Sequence, residues 1–371
     1  MAALYLRNKH SCSFHHDFHP EIRVITNMTS SSASGPAHRK RNLLVPILTA
    51  LLCAPSAFAS ASFLLEEPYG TFGALNPTGH AAIYLDNVCA DTPTHLRPCR
   101  DEEPGVVISR YHRVGGYDWI AIPVIPYLYA VDSISEIPER VDKKQVAALR
   151  DAYRRKYLLD IAPSTLDDRA PKGDWTQLVG ASFDRRVYGL RFDTTPDQDL
   201  ELIAILNDRR NVAHFNLFYR NCADFSRSVL QIYMPDAIRR NVIADFGIMT
   251  PKQIARSLVV YDKHHPELHA TFFTIPQVPG TLHRSHSVDG VAEALVKSKK
   301  YVIPLTFFAP QVTGAAVAAF LVNGRLKLPK DPPDLVLTTT DSASPTQPAD
   351  AQPANTQPVV APASVPTPLS R

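Results

Sequence analysis

The chain has 371 residues, with 39 Lys and Arg against 36 Asp and Glu and a formal net charge of +3. That near-balance excludes a strongly basic nucleic-acid binder and an acidic tail protein. Hydrophobic residues make up 45% and charged residues 20%, enough to bury a core, while five cysteines are too few for a disulfide scaffold.

Residues 1–61 read as a leader. His38, Arg39, Lys40 and Arg41 form a basic patch, Leu43 to Phe58 an apolar run, and Ala57-Phe58-Ala59 and Ala59-Ser60-Ala61 two overlapping small-residue cleavage sites. This is the three-part layout of a secretory signal peptide, with Met28 as an alternative start. An uncleaved N-terminal anchor is the competing reading, and Leu51-Leu52 argues against lipid attachment at Cys53. Export removes Cys12 and Cys53 and permits disulfides. Cys89 and Cys99 flank a loop with Pro93 and Pro98 and are the natural pair. Cys222 is then an odd cysteine, which is a reactive thiol, a buried small hydrophobe, or a partner of Cys89 or Cys99.

Residues 62–300 predict one α+β domain. Residues 82–85, 106–111 and 119–124 read as strands from their β-branched and aromatic content. Val146, Leu149, Tyr153 and Tyr157 recur at helical spacing, predicting a helix over about 141–158. Residues 159–182 read as loop and residues 187–193 as a strand. Thr195-Pro196-Asp197 starts a helix to about Asn207, with proline in its first turn. Residues 215–218 read as a short strand or turn. Helices follow from Cys222 to about Tyr233 and from Pro251 to about Tyr261. Residues 270–275 read as a late strand, and Ser287 as the cap of a last helix. Residues 301–324 are uncharged and long enough to span a bilayer, a candidate transmembrane helix interrupted by Pro304 and Pro310; a buried strand followed by a core helix is the other reading. Residues 331–371 hold nine prolines and no aromatic residue, the composition of a disordered tail.

Two motifs carry chemistry. In Tyr219-Arg220-Asn221-Cys222-Ala223-Asp224-Phe225, Asn221 caps a helix whose first residue is Cys222. There the unsatisfied N–H groups and the helix dipole favour a thiolate. In Thr78-Gly79-His80-Ala81-Ala82-Ile83-Tyr84, His80 opens an apolar strand and shares a face with Ala82 and Tyr84. A thiol at a helix start and an imidazole on a sheet are the minimum for a thiol nucleophile with a general base.

His80 on a strand, followed far downstream by Asn221-Cys222 opening a helix, resembles the circularly permuted branch of the papain-like NlpC/P60 superfamily. Gly79-His80, Arg186-Val187-Tyr188-Gly189-Leu190 and Arg220-Asn221-Cys222-Ala223 also resemble an uncharacterised family of bacterial membrane-associated proteins. The resemblance covers about residues 66–233. It implies a papain-like antiparallel sheet packed on helices, Cys222 as nucleophile, His80 as base, and a third polar group from the strand after the histidine strand. His112 is the first choice for that group and Ser109 the alternative. Asn221 and Trp119 are the candidate substrate-contacting residues.

The expected activity is that of an exported thiol hydrolase or acyltransferase on a cell-envelope peptide or lipid-linked acyl group. It would be periplasmic or membrane-anchored facing the periplasm, with no cofactor, no metal and no nucleic-acid partner. The competing expectation is a non-catalytic, membrane-associated binding or scaffold module, supported by the apolar, proline-rich segments at 122–129 and 301–322. His264, His265 and His269 lack an accompanying acidic or cysteine ligand cluster, and Pro266 interrupts any helix there.

Overall fold

The computed structural model describes residues 59–323, apart from 71–72, 74–76, 165–169 and 172, together with 326 and 332–335. Cys12 and Cys53, most of the leader and most of the C-terminal tail lie outside the described residues.

The fold is α+β, with an antiparallel sheet packed against helices. Six strands form the sheet: β1 (Ala59–Glu66), β2 (His80–Leu85), β5 (Val106–Ser109), β6 (Ile120–Pro123), β7 (Val187–Thr194) and β8 (Thr271–Ile275). Their order is β6-β5-β2-β1-β7-β8, with every neighbouring pair antiparallel. A separate hairpin, β3 (Val88–Thr92) and β4 (His95–Pro98), is closed by the Cys89–Cys99 disulfide. Cys222 is therefore a free thiol.

Strand alternation distributes the side chains between two cores. Ala61, Phe63 and Leu65 of β1 and Ala81, Ile83 and Leu85 of β2 enter one core. Helices α4 (Pro196–Asp208), α5 (Cys222–Tyr233) and α6 (Pro251–Asp262) cover it with Leu202, Phe225, Val229 and Ile254. Leu64, Ala82 and Val107 enter the other core, beneath α1 (Val124–Tyr129), α2 (Lys143–Tyr157) and the short α3 (Ala181–Asp184). Each fully buried Leu, Phe or Val on these faces contributes about 1.5–3 kcal/mol.

Several boundaries differ from the sequence expectation, each for a physical reason. β1 begins at Ala59, so Ala59, Ser60 and Ala61, the end of the expected leader, form the start of a central strand, paired with Thr194, Asp193 and Phe192. Small side chains suit a cleavage site and a crowded mid-sheet position equally. The apolar, proline-rich run Ile122 to Tyr129 is largely covered, because Val124–Tyr129 is a helix with Val124, Ile125, Tyr127 and Leu128 buried. The last amphipathic helix, α7 (Val291–Lys297), is preceded by Gly290 as its cap, not Ser287.

The candidate transmembrane segment divides into α8 (Lys299–Phe308) and α9 (Pro310–Asn323), and among the described residues no helix is long and apolar enough to cross a membrane. Pro310 lacks an N–H and cannot continue the helix that precedes it. Residues 332–335 are not free tail. The Thr274 amide donates to the Pro333 carbonyl (2.8 Å) and the Leu335 amide to the Thr274 carbonyl (2.7 Å), which covers the outer edge of β8.

The disulfide closes a loop of ten positions, so Cys99→Ser is expected to lower unfolding free energy by about 2–3 kcal/mol. Urea denaturation of wild type, reduced wild type and variant checks this. An unchanged midpoint in both altered forms would contradict it.

Candidate functional site

Two turns position the motifs. Gly79 has φ +72°, and a Cβ there would sit 2.2 Å from the Glu66 carbonyl oxygen, so only glycine lets the chain turn into His80. At α5, the Asn221 side-chain oxygen accepts from the Asp224 amide (2.9 Å) while the Asp224 carboxylate accepts from the Asn221 amide (3.2 Å). This reciprocal cap starts the helix at Cys222. The Asn221 amide group also donates to the carbonyls of Leu217 (3.0 Å) and Met249 (2.9 Å). Both ends of that side chain, expected as a substrate contact, are therefore engaged by the fold.

Arg110, which follows β5, reaches the cysteine motif. It forms an ion pair with Asp118 (2.6 Å), donates to the Asn221 carbonyl (3.4 Å) and lies 5.4 Å over the Phe225 ring. The end of β5 is thereby fixed to the first turn of α5.

His80 is 9% exposed. Its Nε2 is 2.9 Å from Ser109 Oγ, and the Ser109 hydroxyl donates to the Ala81 carbonyl at 2.7 Å. Since that hydroxyl has one proton, already given to Ala81, its oxygen accepts from the ring. The network thus assigns the proton to Nε2 and leaves Nδ1 with the lone pair. The Tyr111 ring stacks on the imidazole with centroids 5.0 Å apart. Burial lowers the imidazole from 6.5 to about 4; Glu66 opposes this and Arg185 adds to it.

Beneath the ring lies a buried ion pair. Glu66, fully buried and opposite His80 in the β1–β2 register, forms an ion pair with Arg185 Nη1 (2.9 Å) and accepts a hydrogen bond from the Tyr127 hydroxyl. The Arg185 guanidinium in turn lies 4.5 Å over the Tyr69 ring.

Cys222 is partly exposed and packs against the core that holds Ala81. Desolvation raises its thiol to about 11, opposed by the backbone N–H groups of Ala81, Ala223 and Cys222 itself. The thiolate expected from the helix dipole is thus outweighed by burial, and thiol and imidazole are both neutral at pH 7. Nε2 of the ring bonds Ser109, and no hydrogen bond joins ring and thiol among the described residues. His80 follows the alternation of β2 onto the Ala82 face, and α5 packs on the Ala81 face.

The remaining sequence candidates lie elsewhere. His112 is half-exposed, hydrogen-bonded to Asp174 (3.1 Å) and edge-on to Phe215 (5.2 Å), so Ser109 and not His112 holds the imidazole. Trp119 is 2% exposed within the core. Cys89, Cys99 and Glu103 converge, but the two sulfurs are bonded to each other. Glu66, Arg185, Tyr127 and Arg110 escaped the sequence reading. An acid ending the otherwise apolar run Phe63 to Leu65 was the one signal available. Against family models, curated proteins and solved structures, the chain finds no match.

Proposed function

We propose that the protein is an exported thiol hydrolase or acyltransferase with a papain-like arrangement, acting on an amide or ester of the cell envelope. One observation carries the reading: α5, which opens on Cys222, packs on β2, which opens on His80. Cys222 and a tautomerically fixed imidazole thereby share one strand end. His80 Nδ1 takes the thiol proton as sulfur bonds to the carbonyl carbon, and the N–H groups of Cys222 and Ala223 hold the oxyanion. The carbon–nitrogen or carbon–oxygen bond then breaks, and the leaving group receives the proton from Nδ1. Water, deprotonated by the same nitrogen, cleaves the thioester.

With neutral partners the thiol is activated as it reacts. Acylation by p-nitrophenyl acetate should give a stoichiometric burst and a thioester on Cys222, absent in Cys222→Ser. The burst should be roughly a hundredfold slower in His80→Ala at pH 7, and alkylation of Cys222 should keep rising with pH toward about 11. Equal burst rates in wild type and His80→Ala would remove the base assignment.

A second reading, a non-catalytic envelope module that keeps the fold, is favoured by the opposite faces of β2 that His80 and α5 occupy. Under it, Cys222→Ser leaves function in cells intact; under the first it abolishes function.

A further inference from the structure

From Tyr301 to Asn323 the chain has no charged residue, and α8 and α9 carry them in the open. A helix that is apolar all round is buried in protein or in lipid. Here the described residues do not bury the helices. Ala316 and Ala319 are covered where α9 returns to α7, but Phe307 and Phe308 at the Ala309 turn are 80% and 87% exposed, and Ile303, Leu321 and Val322 are more than half exposed. Too short to cross a bilayer, the 10 residues of α8 extend about 15 Å, the depth of one leaflet's hydrocarbon. Lys299 and Lys300, both exposed, open α8 at the end away from the phenylalanines. Cations at the base and aromatic residues at the tip are the polarity of a segment that dips into an anionic lipid surface.

We infer that α8 and α9 insert into one leaflet of an anionic bilayer, tip first at Phe307 and Phe308, without crossing it. The inference is independent of the thiol chemistry. A second copy of the chain, or the protein's own N-terminal apolar run, is the other occupant this surface could take.

The test uses the full chain with phosphatidylglycerol–phosphatidylethanolamine vesicles whose acyl chains carry bromine. In Phe307→Trp, the added indole should lose roughly half its emission or more relative to unbrominated vesicles, the quenching expected at acyl-chain depth. The two native tryptophans, both buried, serve as the internal baseline in wild type. The double variant Phe307→Asp/Phe308→Asp should bind vesicles at least about tenfold more weakly with an unchanged melting temperature, since both side chains are exposed. An indole at position 307 that bromine leaves unquenched overturns the inference, whether the surface is then covered by a second copy, by the N-terminal run or by water.

Discussion

Arg185→Met is expected to destabilise the fold by about 3–5 kcal/mol, because it leaves the Glu66 carboxylate buried without its cation. Arg185 and Glu66 have 4% and 0% exposed side chains, so water cannot replace the lost partner. The Tyr127 hydroxyl remains as a donor to Glu66 and cannot neutralise it. The double variant Glu66→Leu/Arg185→Met should recover most of the loss, since an apolar pair of similar volume commonly matches a buried ion pair. Urea unfolding of wild type, single and double variants decides between these outcomes. A single-variant loss below about 1 kcal/mol would mean that the pair is solvated in solution.

The second large effect concerns acid. His80 stays neutral in the folded protein down to about pH 4 because burial opposes its charge, whereas in the unfolded chain it protonates near 6.5. Between those values the unfolded state binds more protons, so stability falls as pH falls through that window and is unaffected by this group above it. The wild type should therefore lose up to about 3 kcal/mol relative to His80→Asn between pH 7.5 and pH 4. Urea midpoints of the two proteins across this range measure the difference; parallel profiles would show a solvated imidazole.

Much of the fold was legible where one periodicity acted alone. The start of α5 at Cys222, the cap at Thr195 and the strand at 187–194 all follow from local rules that packing did not override. The helix Val124–Tyr129 was not legible, since two prolines in eight residues argue against a helix. Pro123 precedes the first turn and Pro126 lies in it, where a missing N–H costs nothing. The pairing of Cys89 with Cys99 was legible from spacing, but the choice between Ser109 and His112 was not. Strand pairing brings Ser109 Oγ to the ring, and nothing local to either residue encodes that. For the thiol, the helix-dipole argument was sound and incomplete, because the extent of burial is set by tertiary packing.

The central place of β1 has a consequence for the order of assembly. Its pairing with β7 closes the long loop of residues 67–186, and β8 joins only through β7. The first of the described strands to leave the ribosome can thus complete its hydrogen bonding only after residues 67–186 have followed it, and loop closure of that length slows folding. Until then β1 is paired on its β2 side alone and its other edge stays open, the kind of apolar edge that holdase chaperones cover.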